Sequence, residues 1–290
     1  MKNILSKIFS RFSRRKEDPL PSPEPPKPLL PAVVLREEAG SDKVVFRNLV
    51  LYDPDGNPLI DYGSVTFAPG DRVMLSGPAG CGKSAGLAAM RNAWLLGGSG
   101  EITVPPEVRF VPQEEYLPDR TMRGIVCAPD PASRFTQEQV VQALNDAGLN
   151  EFVDAMDDPL KRGEYWKNTL SGGQKNKLAF AGIFLHAAET KVLVVDEITA
   201  ALDAKSEHEL YPRLLERMRH GIVISVAHHS TLAPQHNVFA KVADGRVSYT
   251  KTPVPAEEPP PEKAAPSDIK TPVNSNENPA PAVRPPKAAF

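Results

Sequence analysis

The stretch Leu170-Ser171-Gly172-Gly173-Gln174 decides the fold of this 290-residue chain. It lies between a glycine-rich loop, Gly77-Pro78-Ala79-Gly80-Cys81-Gly82-Lys83-Ser84, and an apolar run that ends in Asp196-Glu197. The glycine-rich loop alone matches the G-x-x-x-x-G-K-[ST] pattern that many nucleotide-binding folds share. The serine-glycine-glycine-glutamine element that follows it narrows the choice of fold sharply.

The glycine-rich loop has the composition of a triphosphate-binding site. Glycine lets backbone N–H groups approach phosphate oxygens, and the helix expected after the loop presents its positive amino terminus to them. We therefore expect Lys83 to contact the β- and γ-phosphates and the Ser84 hydroxyl to ligate Mg²⁺. A chance glycine-rich turn is the alternative, and the partner motifs argue against it.

Two acids follow the continuous apolar run Val192-Leu193-Val194-Val195, which is typical of a strand covered on both faces. At the carboxyl end of that strand, Asp196 is placed to hold Mg²⁺ through water. Glu197 is placed to orient or deprotonate the attacking water. The alternative, that Asp196 only caps the strand end, agrees poorly with the adjacent second acid and with the order of the motifs along the chain.

The order of the apolar segments predicts an α/β fold with a parallel core sheet and an antiparallel edge. Residues 43–53 and 64–67 flank a turn and predict an antiparallel hairpin. Further strands are expected at 73–75, 108–111, 192–195 and 222–226, and helices at 84–96, 136–147, 172–187 and 205–219. Pro212 should kink or split the last helix because proline removes a helical hydrogen bond.

The ends of the chain differ in composition from its middle. Residues 19–40 are predicted to be a proline-rich linker, and residues 251–290 a tail rich in Pro, Ala, Glu and Lys. Such segments bury too little apolar surface to offset an ordering entropy of about 1–2 kcal/mol per residue. The folded domain is therefore predicted to cover residues 41–250, an ordinary size for one domain.

Residues 1–18 form a separate basic segment, in which residues 1–16 hold six Lys or Arg residues and no acid. On a helical wheel one face is apolar and the opposite face is cationic, the pattern of a helix that lies on a membrane surface. Two interpretations stay open. Residues 1–16 contact a membrane surface, or they are a frayed, solvated tail, since short isolated helices are marginal in water.

Charge and cysteine content exclude several classes of protein. A formal net charge of −2 provides no basic field for nucleic acid, so no nucleic-acid partner is expected. A disulfide at Cys81 would obstruct phosphate binding, so a reducing cytosol is expected. No run approaches the ~18 apolar residues that cross a bilayer. The histidines without metal-ligand spacing are expected at the surface or at helix ends; they are His186, His208, His220 and His236.

With these motifs in their order, residues 44–250 resemble the nucleotide-binding domain of ABC transporters. The resemblance implies a P-loop NTPase of the ABC-cassette type, in which a helical subdomain carries the Leu170–Gln174 signature. It also implies ATP hydrolysis, with ATP and Mg²⁺ as cofactors. In that family the signature contacts the nucleotide held by a second subunit, so a homodimer is expected to enclose ATP between the loop of one copy and four residues of the other, Ser171, Gly172, Gly173 and Gln174.

The resemblance also implies roles for residues outside these motifs. Gln113 matches the glutamine that senses Mg²⁺ and the transmembrane partner, and Asp203 matches the aspartate that follows the acidic strand end. His228 matches the switch histidine at the γ-phosphate, and its neighbour His229 is the alternative, with the preceding strand end favouring His228. Tyr52 occupies the place of an aromatic under the adenine, unless it is simply a half-buried strand tyrosine.

A finer resemblance is to the cassettes of peroxisomal fatty-acyl transporters, sub-family D, and their bacterial relatives. It rests on the glycine-rich loop, on residues 111–118, on Trp166 and on residues 225–232. In those relatives a transmembrane domain precedes the cassette, whereas here the basic segment and the linker occupy that place. The leading hypothesis is therefore an ATPase subunit that docks on a separately encoded permease, at the cytoplasmic face of the inner membrane.

Two other functions are alternatives to that hypothesis. A non-transport ABC ATPase that acts on a ribosome or on DNA usually joins two cassettes or inserts a long coiled coil, for which residues 84–170 leave no room. A non-hydrolysing cassette conflicts with the complete set of Lys83, Asp196, Glu197 and His228.

Overall fold

The computed structural model of this chain describes residues 31–113, 117–226 and 230–252. The predictions for the basic segment, for residues 19–30 of the linker and for the carboxy-terminal tail from residue 253 lie outside the described residues. His228 and His229 lie outside them as well.

A single mixed sheet organises the described residues, in the order β1-β5-β2-β3-β10-β9-β4-β8-β7-β6. Its strands are β1 (Val34–Glu37), β2 (Val44–Tyr52), β3 (Pro58–Phe67), β4 (Arg72–Ser76), β5 (Gly98–Val104), β6 (Val108–Val111), β7 (Val192–Asp196), β8 (Ile222–Val226), β9 (Val238–Ala243) and β10 (Arg246–Lys251). From β9 to β6 all neighbours pair in parallel, while β5, β2 and β3 form an antiparallel ladder. The predicted α/β class, a parallel core with an antiparallel edge, is confirmed.

Six α-helices complete the described fold, and the longest is the one that follows the signature serine. They are α1 (Lys83–Met90), α2 (Met122–Val126), α3 (Gln137–Asp146), α4 (Gly163–Thr169), α5 (Gly172–His186) and α6 (Ala204–Arg217). Short 3₁₀ turns lie at Ala132–Arg134, Asn150–Ala155, Ala187–Glu189 and Ser230–Gln235. Helix α5 packs against α2, α3 and α6, so the signature begins the central helix of the helical subdomain.

Two of these helices begin with the same local device, a capping box. The Thr136 hydroxyl accepts from the Gln139 backbone N–H at the start of α3, and the Ser171 hydroxyl accepts from the Gln174 N–H at the start of α5. In both boxes the glutamine side chain accepts from the backbone N–H of the capping residue. Each box satisfies two backbone donors that a helix start leaves without partners.

The core lies on both faces of the sheet, and β7 contributes to both layers. Leu193 and Val195 face the cluster formed with the helical subdomain, whereas Val192 and Val194 face the cluster formed with α1 and the antiparallel strands. Because side chains alternate along a strand, one apolar run supplies both layers. The carboxyl ends of the parallel strands then carry the polar residues of the site.

The linker prediction for residues 19–40 is wrong at its carboxyl end, because Val34–Glu37 forms β1 and pairs in parallel with β5. Most of this strand is exposed, so backbone pairing rather than apolar burial holds it, and it leaves no hydrophobic signal in the sequence.

The structure also corrects the end of one helix and one of the two effects expected of Pro212. Helix α1 ends at Met90 rather than near residue 96, because Asn92 adopts a left-handed φ of 54° and the Ala93 N–H turns back to the Ala88 carbonyl. Pro212 lies inside α6 without splitting it. Pro212 is exposed, so water can satisfy the carbonyl that its ring leaves without a helical donor.

Candidate functional site

The glycine-rich loop connects β4 to α1 and depends on glycine at its two ends. Gly77 has a φ of 153°, and a Cβ there would lie 2.9 Å from Val242 Cβ. Gly82 has a φ of 97°, and a Cβ there would lie 3.0 Å from Ile60 Cγ2. A larger residue would strain the backbone and push against the core at both positions, so glycine is required by the shape of the loop.

Lys83 is buried within this loop. Its ammonium donates to the carbonyls of Gly77 and Pro78, each at 2.9 Å. An ammonium has three donors, and the loop itself engages two of them. A positive charge held inside a backbone loop at a helix amino terminus fits a phosphate chain, and the contact of Lys83 with phosphates stays a prediction.

The predicted magnesium ligands come together across the sheet. The Ser84 hydroxyl, at the start of α1, donates to Asp196 Oδ2 at 3.2 Å. The two residues lie 112 positions apart in sequence, and meet because β4 and β7 both flank β8 and end at the same edge. Among the residues that the structure describes, no cluster of three or more His, Cys, Asp or Glu side chains could hold a metal. One hydroxyl and one carboxylate fit Mg²⁺, which prefers oxygen and keeps waters and phosphates as further ligands.

The proposed base, Glu197, has an unusual backbone and a direct partner. Its φ is 50°, a left-handed value that non-glycine residues seldom adopt, and its N–H donates to the Val226 carbonyl at 3.0 Å. Gln113, just after β6, donates through Nε2 to Glu197 Oε2 at 2.9 Å. Such strained conformations concentrate at functional sites. Gln113 lies against the carboxylate of Glu197 in this structure. The role of Gln113 as a magnesium ligand stays a prediction.

The signature residues contact mainly each other and their own subdomain. Gln174 donates through Nε2 to Glu151 at 2.8 Å, in addition to its capping box with the exposed Ser171. Asn176, two residues further along α5, donates to the Ile198 carbonyl at 2.8 Å. This bond links the signature helix to the segment that follows Glu197, so the two motifs are mechanically joined in one chain.

Asp203 has a structural task in this chain, because it caps α6. Its carboxylate accepts from the Ser206 N–H at 2.8 Å and from the Ser206 hydroxyl at 2.9 Å. These two bonds hold the pKa of the Asp203 carboxyl below its ordinary value. Tyr52 ends β2 and is partly exposed. A nucleotide contact for either residue stays a prediction, and so does the switch role of His228.

Sequence reasoning missed several buried polar groups behind this edge. The Tyr62 hydroxyl shares its one proton between the carbonyls of Gly82 and Lys83, and the Tyr211 hydroxyl bonds to Ser225 Oγ and to His236 Nε2. Both His186 and His236 are predicted at the surface or at helix ends; His186 is the last residue of α5, and both side chains are buried. Burial lowers the pKa of both imidazoles. For Tyr62, the sequence did carry a signal, because the residue occupies an inward position on a strand whose side chains alternate.

Comparison with known proteins agrees with this architecture. Residues 61–200 match the ABC transporter family. An uncharacterized ABC transporter ATP-binding protein of Haemophilus influenzae is 30% identical over 194 residues, 67% of this chain and 32% of that protein. ATP-binding cassette sub-family D member 3 of Mus musculus is 30% identical over 234 residues, 77% and 34% of the two chains. A mycobactin import ATP-binding/permease protein of Mycobacterium bovis is 32% identical over 210 residues, 68% and 35%.

The fold also has a solved counterpart. The structure of a bacterial Atm1-family ABC exporter with ATP bound aligns with a TM-score of 0.62 at 23% identity, over 86% of this chain and 43% of that one. This chain spans about a third of the length of the curated relatives it matches. In the described ranges no helix is long and apolar enough to cross a membrane. The fold, the three motifs in their order and these relatives together show that the chain carries the ATP-binding domain of the ABC transporter family.

Proposed function

We propose that this protein binds Mg-ATP and hydrolyses it as the ATPase subunit of an ABC transporter, and that a separately encoded transmembrane permease uses the energy. One observation carries the proposal: consecutive acids at the end of β7 have different partners. Asp196 contacts Ser84 of the glycine-rich loop, named the phosphate loop from here on, and Glu197 contacts Gln113. One strand end thereby separates metal binding from activation of water.

The arrangement supports a division of labour in phosphoryl transfer. Lys83 would bind the phosphates, and Ser84 and Asp196 would hold Mg²⁺, whose charge stabilises the transferred group. Glu197 would orient the attacking water and accept its proton. The hydrogen bond from Gln113 keeps the Glu197 carboxylate at the edge of the sheet, and a loss of that bond would misplace it.

The signature segment supports assembly into a homodimer around ATP. Ser171 is exposed at the amino terminus of the longest described helix, where backbone N–H groups and the helix dipole favour an anion. Its capping box is complete within the chain, so the segment is ordered in a single copy. We infer that it meets the triphosphate held by the loop of a second copy.

A groove beside Gln113 supports docking of the permease. It has a volume of about 590 Å³ and separates the end of β6 from α4 and α5. Its lining includes Gln113, Leu117, Lys167 and Asn176. A partner seated there would contact Gln113 directly and, through it, Glu197. This proposal places the protein in the cytoplasm, peripheral on the inner membrane, with residues 1–16 as a second contact with the membrane surface and no role for nucleic acid.

The alternative of an ATPase that acts on a ribosome or on DNA gains no support from the described residues. Between α1 and α5 the longest described helix is α3, with ten residues, so the long coiled coil of such proteins has no counterpart there.

The proposal is tested by phosphate release from Mg-ATP with the purified chain. Glu197→Gln should reduce turnover by about 10²- to 10⁴-fold, the usual contribution of a general base, while ATP binding is retained. Glu216→Gln, an exposed acid at the end of α6, is the matched control and should turn over like the wild type. Wild-type turnover by Glu197→Gln would remove Glu197 from the role of base, and absence of ATP hydrolysis by the wild type would refute the proposed function.

A further inference from the structure

A buried tyrosine on β3 reaches the phosphate loop from the side opposite its ligand face. Tyr62 is 3% exposed, and its single hydroxyl proton is shared between the Gly82 carbonyl at 3.0 Å and the Lys83 carbonyl at 3.2 Å. Its ring packs edge-on against Phe46, with centroids 5.8 Å apart, and its backbone carbonyl accepts from the Tyr249 hydroxyl at 3.0 Å. The Phe46 contact fixes the Tyr62 ring, whereas the bond from Tyr249 reaches only the backbone of β3, which pairing with β2 also holds.

Helix α1 has a glycine where the tyrosine ring meets it. A Cβ at Gly86 would lie 2.2 Å from Tyr62 Oη and 2.3 Å from Cζ, far inside van der Waals contact. Glycine is an unfavourable residue within a helix, so its presence on this buried face has a packing reason. Gly86 and Tyr62 thus form one complementary pair, in which the glycine admits the hydroxyl to the first turn.

The two carbonyls that accept from Tyr62 belong to peptide units of the phosphate loop. The Gly82 carbonyl shares its peptide with the Lys83 N–H, and the Lys83 carbonyl shares its peptide with the Ser84 N–H. In the described first turn of α1 the next two N–H groups, of Ala85 and Gly86, donate back to Gly82. The N–H groups of Lys83 and Ser84 are therefore the ones that a helix start offers to an anion.

A hydrogen bond to a carbonyl polarises the whole peptide unit and makes its N–H a stronger donor. Burial raises the pKa of Tyr62 well above its ordinary value, so the hydroxyl remains protonated and donating at neutral pH. The same bond also fixes the backbone that carries the Lys83 ammonium and the Ser84 hydroxyl. One side chain outside the motif therefore acts on four groups that would contact Mg-ATP: the N–H groups of Lys83 and Ser84, the Lys83 ammonium and the Ser84 hydroxyl.

We propose that Tyr62 is a positioning residue for nucleotide binding, which orders and polarises the first turn of α1 through its hydroxyl, and that Gly86 is required to admit it. This inference rests on the proposed ATP binding and deepens it. Tyr62 does not touch the nucleotide, so its effect is expected in phosphate affinity rather than in the chemical step.

The test compares two hydroxyl deletions in the same core, Tyr62→Phe and Tyr249→Phe, in the full chain. Calorimetry measures the Kd for ATP, ADP and AMP in the presence of Mg²⁺. A turnover assay gives KM and kcat separately, and urea unfolding without nucleotide gives the free energy of unfolding. Loss of one buried hydrogen bond corresponds to about a three- to tenfold change in an equilibrium constant. Tyr62→Phe should raise the Kd for ATP and ADP and the KM by that factor, affect AMP less and leave kcat nearly unchanged. Tyr249→Phe should bind all three nucleotides like the wild type.

The outcomes separate the two proposals. If the wild type binds ATP and Tyr62→Phe binds it equally well, the role of Tyr62 is refuted while the proposed function stands. If both variants weaken ATP binding in proportion to their loss of stability in urea, Tyr62 is a core residue only and the proposal is overturned. If the wild type fails to bind ATP, the proposed function falls and the inference about Tyr62 falls with it.

Discussion

The polar side chains of two regions find their hydrogen-bond partners in different ways. The first region, the phosphate-loop edge, holds Ser84, Gln113, Asp196 and Glu197 at the carboxyl ends of the parallel strands, and the second is the signature segment, Leu170–Gln174. At the edge, bonds run between distant parts of the chain, from Ser84 to Asp196 and from Gln113 to Glu197. In the signature, Ser171 is bonded within its own capping box, and Gln174 adds only a bond to Glu151 in the same subdomain. The side chains of the first region are brought together from distant parts of one chain. The polar side chains of the signature already have partners within their own subdomain. Under the proposed function, one chain suffices to bind ATP and two are needed to hydrolyse it.

Removal of the Lys83 ammonium should produce the largest loss of affinity. Lys83→Ala deletes a charged donor from the phosphate loop, and hydrogen bonds to charged groups contribute about 1.5–3 kcal/mol, so the Kd for ATP should rise by about 10- to 100-fold. Calorimetry with Mg-ATP measures this change. Lys205→Ala, on the exposed face of α6, serves as the control and should leave the Kd unchanged. Unaltered affinity of Lys83→Ala would mean that the loop is not the phosphate site.

Ser171→Ala should sharpen the comparison, because the signature is expected to affect turnover and not binding by a single chain. Loss of the cap should lower the free energy of unfolding by about 1 kcal/mol, the usual contribution of a helix amino-terminal cap. ATP affinity measured at low protein concentration should stay within about twofold of the wild type, while turnover at saturating ATP falls because the second copy loses a phosphate contact.

The chain offers a matched control for that variant. Thr136→Ala removes the same kind of capping box from α3 and should cost a similar free energy in urea unfolding. Its turnover should be normal. Equal loss of turnover in the two variants would show that the effect of Ser171→Ala is only structural, and the distinction between the two regions would then fail.

Sequence predicted the phosphate-loop edge better than the packing behind it. Lys83, Ser84 and the two acids belong to short motifs in which strand, loop and helix are contiguous, so local spacing fixes the placement of each side chain. Strand β1 was predicted as linker because its exposed residues are held by backbone pairing with β5, which leaves no apolar pattern.

The pair Tyr62 and Gly86 was missed for another reason. The two residues lie on different elements, and the reason for the glycine is visible only when β3 and α1 are packed. Helix α1 was predicted too long because a single left-handed Asn92 ended it before the apolar pattern did. A local sequence pattern cannot predict which side chains of two distant elements come into contact.

The smallest expected effect concerns the cap of α6 and its dependence on pH. Because the folded-state pKa of Asp203 is lowered by the bonds from Ser206, the stabilisation is fully present above the unfolded value of 3.8 and is lost as pH falls through the lower folded value. Asp203→Asn should therefore reduce stability at pH 7 and differ less from the wild type at acid pH. Urea unfolding at both pH values measures this, with the exposed Asp154→Asn as control. A difference that grows on acidification would contradict the assignment of Asp203 as an ionised cap.

The claim that two copies share the site is tested most directly by light scattering of the Glu197→Gln variant, in which bound ATP persists. We expect the mass of one chain, 31.5 kDa, without nucleotide and twice that mass with saturating Mg-ATP. Adding Ser171→Glu to the variant should prevent the increase, because a carboxylate at this helix start would repel the triphosphate held by the second copy's phosphate loop. A mass that stays at 31.5 kDa while calorimetry shows ATP bound would contradict the account.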